Sequence, residues 1–511
     1  MILALLATTA LAGDELAAPP EALVYAGVQP SAEAPGGWTG FALFQVRATG
    51  TDLTSTNPFL DGQVVGRIGG TNGVVVQPEG PAALYSEQRL GAFATWAPPV
   101  LGGVASLNLA GEVDFGFGDQ SYGVGGNTGG GFGADQVNLQ TRRLYADFRI
   151  RPADLHEIHA VVGLQFVADG ATDPARTTPD GLLRSGARLM VFGSEAAGVT
   201  VYGRVRRGWG DALRYRVGTY TLAEQAASLP DDVWLSMADL QLGPAYATSI
   251  GLHLWYLQDR SGGTGGTLGI GPTSALSELQ GGPRLDLYDG LPAPEGATLD
   301  ADLVWTGIDG GFNPGLDHGP AGVHGVALLH LGRVYAPVVH DDDVLGMLVD
   351  VEARWRFFRG KGSVARVEGL FSGGPGSFDQ YGGVITGNSY GVVGALHNTH
   401  GTLLLFPDPR SINRMVAVIP DVSGGLLGVG AITASAAVDL VPNKVNVGVG
   451  GGHALALDGT TWGTEINARA SVEPLPFLDL GVYAATVAPG AASGLDAAPW
   501  TVYGQLDWLV F

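Results

Sequence analysis

The sequence predicts an all-β protein, a single transmembrane antiparallel β-barrel of about eighteen strands (roughly 16–20). Three observations predict it. Apolar and polar residues alternate strictly in many segments of about ten residues. Those segments are joined alternately by short and long connections. The 511-residue chain holds 82 Gly and only 15% charged residues. It also lacks the roughly 18–20 consecutive apolar residues that a spanning helix needs.

The alternation is plain in four segments. In 104–119, Leu107, Leu109, Val113, Phe115 and Phe117 share one face, and Ser106, Asn108, Glu112 and Asp114 the other. In 142–151, Leu144, Ala146, Phe148 and Ile150 alternate with Arg143, Tyr145, Asp147 and Arg149. In 348–358, Val349, Val351, Ala353, Trp355 and Phe357 alternate with Asp350, Glu352, Arg354 and Arg356. In 464–473, Ile466, Ala468, Ala470 and Val472 alternate with Glu465, Asn467, Arg469, Ser471 and Glu473. A period of two is a strand with one apolar and one polar face. A soluble sandwich shows the same period, with its apolar face turned to a core. Here the polar faces carry dense charge of both signs, and the apolar faces mix Ala and Gly with aromatics. That suits lipid outside and a polar lumen inside.

Strands are expected near 38–50, 82–97, 103–118, 138–151, 155–168, 183–194, 198–208, 232–242, 247–260, 299–307, 322–334, 345–358, 363–373, 426–441, 444–457, 461–473, 477–487 and 499–511. Short connections include 151–155, 195–198, 358–363, 441–444 and 473–477. Long ones include 50–81, 118–138, 169–182, 208–231, 260–298 and 373–424. Short periplasmic turns and long outer loops are the pattern of bacterial barrels. Segment 374–424 contains "GTLLLF", too apolar for an outer loop: either it folds into the barrel and narrows it, or it holds two further strands.

Residues 1–12 read as a signal peptide, with an apolar stretch from Ile2 to Leu11 and Ala10-Leu11-Ala12 as a cleavage pattern. Residues 13–37 would be an N-terminal periplasmic segment, and 38–511 the barrel. The chain has no Cys and a formal net charge of −22, which argues against nucleic acid as a partner.

The expected lumen-facing charges are Arg143, Arg149, Arg204, Arg206, Arg354, Arg356, Arg366 and Arg469, against Glu112, Asp114, Asp147, Asp350, Glu352, Glu368, Glu465 and Glu473. Eight bases face eight acids, so the wall is close to neutral. A ring of Arg at one height would select anions; a lattice of cross-strand ion pairs is the reading favoured here.

Several motifs tempt and are set aside. "GGFGADQVN" (130–138) fits a calcium-binding nonapeptide, but only once. "HDDD" (340–343) reads as a solvated acidic tip, and His397 with His400 lacks a helix to make a metal pair. Ser389, His397 and Asn398 form no defensible hydrolase pattern, so no enzyme, metal or cofactor is expected.

The closing segment "TVYGQLDWLVF" resembles the last strand of Gram-negative outer-membrane barrels, which ends in Phe or Trp and is read by the barrel-assembly machinery. That resemblance makes Phe511 an assembly signal. Here one face carries Leu509, Asp507, Gln505 and Tyr503, and the other Trp508, Leu506, Val502 and Trp500, so a bulge would be needed to match the family pattern. Strand number, long loops and charged faces resemble the porin and alginate-export barrel class. "TRRLYADFRI" resembles the Arg-rich strands of substrate-selective porins. These resemblances imply a bacterial outer-membrane channel among lipid and lipopolysaccharide, for passive passage of small hydrophilic solutes or export of a polymer. The alternatives are a barrel with an adhesin or structural role in its loops, and a lipid-active barrel enzyme.

Overall fold

In the computed structural model eighteen strands of ten to sixteen residues follow one another around a closed barrel. They are β1 (Trp38–Thr51), β2 (Ala83–Trp96), β3 (Ala105–Phe117), β4 (Gln136–Arg151), β5 (His156–Ala168) and β6 (Gly193–Arg207). Next come β7 (Gly210–Ala223), β8 (Val233–Leu242), β9 (Thr248–Asp259), β10 (Asp300–Phe312), β11 (Ala321–Tyr335) and β12 (Asp342–Arg356). The circuit ends with β13 (Val364–Gly373), β14 (Val429–Val441), β15 (Val445–Leu455), β16 (Thr461–Leu475), β17 (Leu478–Pro489) and β18 (Trp500–Val510). The structure describes residues 37–52, 83–117, 136–151, 156–168, 190–207, 210–223, 232–243, 248–260, 300–313, 318–335, 342–358, 360–374, 380–386, 401–406, 408, 416–419, 422 and 428–510, with 54–55, 66–67, 76–77 and 316 besides.

Every neighbouring pair of the barrel is antiparallel, and β1 pairs with both β2 and β18. The closing ladder runs without a shift from Ala42↔Val510 to Thr51↔Thr501. The β17–β18 ladder is also unshifted, so the bulge expected in the last strand is absent among the described residues. Thr501, Tyr503 and Gln505 face inward, while Trp500, Val502 and Trp508 face outward. Phe511 lies outside the described residues.

Period two governs the walls. On β1, Phe41, Leu43, Gln45, Arg47, Thr49 and Thr51 are buried inside, and the residues between them face out. Outward positions on the other strands are aliphatic at mid-height, among them Leu109, Leu144, Val201, Leu252, Leu329, Val351, Val449 and Ile466. Exposed aromatics collect near the short-turn end: Trp38, Trp96, Phe148, Phe312, Trp355, Phe357, Phe358 and Trp508. Trp38 and Trp96 stack at 5.9 Å across β1 and β2. At the opposite end the outward face turns polar along one register row, Gln258–Asp302–Arg333–Asp343 on β9 to β12. An apolar band with an aromatic girdle is the surface that hydrocarbon and its interface favour.

The sequence reading differs from the structure in one sector. Of the strand expected over 183–194, residues 183–189 lie outside the described residues; the turn expected over 195–198 lies inside one strand, β6, and the long loop expected over 208–231 contains β7. β7 pairs with β6 through eleven positions and with β8 through ten. Its outward face is Tyr215, Val217, Thr219 and Thr221, too polar to read as lipid-facing, while Gly218 interrupts the inner face. "EAAG" looked like a turn because Gly198 is small. Gly198 is small for another reason: a Cβ there would lie 2.2 Å from the Thr219 carbonyl of β7. The two errors cancel, which left the strand count at eighteen.

Val449 stands 62% exposed at the middle of β15. Val449→Arg should destabilise the folded barrel in lipid vesicles by about 2–4 kcal/mol. Urea unfolding followed by tryptophan fluorescence measures this, with Val449→Leu expected to stay near the parent. Equal stability of the two variants would mean this face does not meet hydrocarbon.

Candidate functional site

The interior is the candidate site, and its two halves differ. Toward the short-turn end, inward side chains form polar clusters that run from strand to strand. On β7 to β11, Arg216 Nε donates to Asp239 Oδ2 at 2.8 Å, and Trp255 Nε1 donates to Asp239 Oδ1 at 2.8 Å. His253 bridges Asp239 (2.8 Å from Nδ1) and Asp309 (2.9 Å from Nε2), and His324 approaches Asp309 at 3.6 Å. On β4 to β6, His159 bridges Asp147 (2.8 Å) and Glu157 (3.1 Å) and stacks on Tyr202 at 4.7 Å. Tyr202 donates to Asp147 at 2.9 Å, and Arg204 closes on Glu157. Buried charges persist only when such partners replace water.

A third cluster lies on β12 and β13. The register opposes like charges, Glu352↔Glu368 and Arg354↔Arg366. Attraction therefore runs along the strand and on the diagonal: Arg354 Nε to Glu352 at 2.5 Å, and Arg366 to Glu352 at 3.6 Å. Asp350 and Glu368 are buried beside them.

The sequence-predicted residues fall into place as follows. Arg143 and Asp147 are buried on the inner wall, as are Asp350, Glu352, Glu368 and Glu465. Arg204, Arg354, Arg366 and Arg469 are half-buried. Arg149 is exposed at the short-turn end. Two residues hold turns: Arg356 donates to the Leu316 carbonyl at 3.0 Å, and Glu473 accepts the Phe477 N–H at 3.0 Å. The side chains of Glu112, Asp114 and Arg206 lie outside the described part. So do residues 130–135 and Ser389, His397, Asn398 and His400. Among the described residues, no group of three or more His, Asp or Glu is placed to hold a metal ion.

Toward the long-connection end the described interior along β5 to β18 is largely apolar and filled. Segments 190–192, 383–386 and 401–406 are buried, and so are 417–419 and 422. They pack on Leu235, Met237, Trp255, Leu303, Trp305 and Leu348 of the wall, in one cluster. Phe192 meets Trp255 and Trp305 edge-on at 6.0 and 5.1 Å.

Most of these segments belong to the connection between β13 and β14, which is tied to opposite walls. On β10 and β11, Trp305 Nε1 donates to the Ile385 carbonyl at 3.1 Å, and His330 Nδ1 lies 3.3 Å from the Ile385 N–H. On β16, the Glu465 carboxylate accepts the N–H groups of Leu403, Leu404 and Leu405 at 2.7, 2.8 and 2.5 Å. Asn467 donates to the Gly401 carbonyl at 2.7 Å. On β1 and β18, Asp408 accepts from Arg47 at 2.9 Å and from the Tyr503 hydroxyl. Arg47 lies 3.5 Å over the Tyr503 ring, which stacks on Tyr483 at 4.6 Å. β15 lets the segment lie flat: a Cβ at Gly450 would sit 2.6 Å from the Gly401 carbonyl, and one at Gly452 3.1 Å from Thr402. Within the lumen, Val418 and Ile419 donate to the carbonyls of Leu404 and Leu405.

Sequence reasoning missed Arg216, Asp239, His253, His159 and Glu157, together with the Arg47–Asp408 contact. β7 was read as loop, which hid Arg216. Single His residues among Leu and Val carried no motif. Arg47 was legible by period two within "FALFQVRATGT"; its partner, 361 residues away, was not.

No protein-family model matches the chain, and no curated protein matches it. Among solved structures, it is similar to Pseudomonas aeruginosa OccK9 (OpdG), with a TM-score of 0.43, 12% identity, and 92% of this chain and 98% of that chain covered. It is similar to Acinetobacter baumannii OccAB4, with a TM-score of 0.43, 8% identity, and 93% and 99% covered. A third similar structure is Pseudomonas aeruginosa OpdK with vanillate, with a TM-score of 0.44, 12% identity, and 92% and 98% covered.

Leu404 is 3% exposed, and the chain contains no Cys. A Leu404→Cys reporter should therefore resist a water-soluble maleimide in the folded barrel. Adding Glu465→Ala strands three buried donors, each costing about 1–3 kcal/mol, and should speed labelling about tenfold or more. Heat-modified gel mobility confirms that the barrel itself is intact. An unchanged rate would mean the carboxylate does not hold the segment.

Proposed function

We propose that this chain is a channel of the bacterial outer membrane for passive passage of small hydrophilic solutes. The observation that carries this reading is the opposition of the two faces of one closed sheet. The outer face is an apolar band, and the inner face carries clustered charge through the short-turn half. Barrels of sixteen to eighteen strands enclose an aqueous passage. By the usual orientation the short turns are periplasmic and the long connections external.

The mechanism is diffusion. A solute entering from the periplasmic half exchanges part of its hydration for the mixed charges of the wall. The β13–β14 connection limits what passes, because it is tied at Ile385 to β10 and at Asp408 to β1 and β18 across the lumen. That crossing favours small solutes over a polymer chain. A second reading, a barrel with a loop-based adhesin or structural role, is favoured by one observation: the external half of the lumen is packed with Leu403–Phe406, Val418 and Ile419.

Planar-bilayer recording of the detergent-folded protein separates the two, with heat-unfolded protein as control. Stable conductance steps absent from the control are expected. Reversal potentials in a salt gradient should give a cation-to-anion permeability ratio close to unity, because the wall charges expected from the sequence are eight bases against eight acids. A barrel that is folded by gel mobility but silent in the bilayer would sink the channel reading and leave the loop-based one.

A further inference from the structure

The inserted segments do not meet the wall evenly around the barrel. One apolar cluster joins them to inward side chains of every strand from β5 to β18, from Val167 and Ala196 round to Tyr483 and Tyr503. Among the described residues, β1 to β4 contribute nothing to it. On β1 and β2 the inward residues at and just below that height are polar, Thr49, Arg47, Glu87 and Arg89, and β4 carries Arg143 in the register row of Phe41 and Phe93; all five are buried. The height is fixed by register, since Thr49 pairs with Tyr503 of the cluster and Arg47 with Glu87. Among the described residues, the connection meets this side through a charged contact, Asp408 on Arg47 and Tyr503.

The two kinds of contact respond differently to water. Separating apolar surfaces exposes them to a solvent that gives nothing back. Separating polar groups exchanges one set of hydrogen bonds for another at small net cost. A filled lumen therefore opens first along its polar seam. We infer that the solute route is eccentric: it runs along β1 to β4, it opens at the Arg47–Asp408 contact, and Arg89 and Arg143 are specificity-determining residues on it. This rests on the channel reading above and adds where passage occurs and which side chains a solute meets.

The absence of Cys from the chain makes each introduced thiol unique. Arg89→Cys and Arg143→Cys would be compared with Leu235→Cys and Leu303→Cys, whose native side chains are fully buried in the apolar cluster. The probe is an anionic, water-soluble methanethiosulfonate, scored by mass on the folded barrel and by current in a bilayer. The first pair should label at least about tenfold faster than the second, and labelling should reduce the current. The second pair should label only after heat unfolding. Adding Asp408→Ala should further speed labelling at the Arg89→Cys site. Equal labelling of the two pairs, or labelling of the Arg sites without a change in current, would overturn the route while leaving the channel. Absence of steps from the unsubstituted protein would overturn the channel reading and the route with it.

Discussion

The ladder between β1 and β18 is the constraint from which the rest follows. A sheet in hydrocarbon has no solvent for its backbone N–H and C=O groups, so an open edge is not tolerated. Here the last strand returns to the first, ten residue pairs meet in unbroken register, and no edge remains. Closure then divides every strand into two environments. Because side chains alternate, each substitution that suits lipid must sit beside one that suits the interior. This is why the chain is built of short alternating runs and why it is lean in charge for its length.

Closure also settles where a core can be. The apolar residues of the outer face serve the membrane, so any packed core must lie inside, and an eighteen-strand wall is too wide to fill with its own side chains. The chain fills part of the space with its β13–β14 connection. Its stretches 383–386 and 401–406 are neither helix nor strand, so their backbone groups need partners supplied from the wall. Glu465 and Asn467 supply them for Gly401 to Leu405, and Trp305 supplies one for Ile385. The glycines of β15 complete the fit by leaving room for the segment. A strand that looks featureless in sequence is thus shaped by what lies against it.

Much of the architecture was legible because period two is a local signal. The alternation in β3, β4, β12 and β16 needs no knowledge of neighbours, and it placed Arg143, Asp147, Glu352 and Glu465 on the inner wall. β7 was lost because its outward face is Tyr, Val and Thr rather than aliphatic. The clusters were less legible than the strands. His253 is one imidazole in an apolar run until β8 and β10 place Asp239 and Asp309 on its two nitrogens. The Arg47–Asp408 contact joins residues 361 apart and depends on the path of an irregular segment. Local patterning specifies faces, whereas ion-pair partners are set by strand order, register and loop path together.

The wall and the inserted segment meet through one apolar cluster and through polar contacts at particular strands, and this shapes what the barrel can do. The Arg216–Asp239–His253–Asp309 group and the Tyr202–Asp147–His159–Glu157–Arg204 group each place opposite charges or ring nitrogens against every acid within the wall itself. A buried charge is costly mainly when its partner leaves. Glu465 and Arg47 differ, since each has ligands on the segment. Of the two, Glu465 holds three backbone donors, Leu403 to Leu405, whereas Arg47 holds one side chain of the segment, Asp408. Among the described contacts, the segment is therefore fastened through its backbone at β16 and through a side chain at β1.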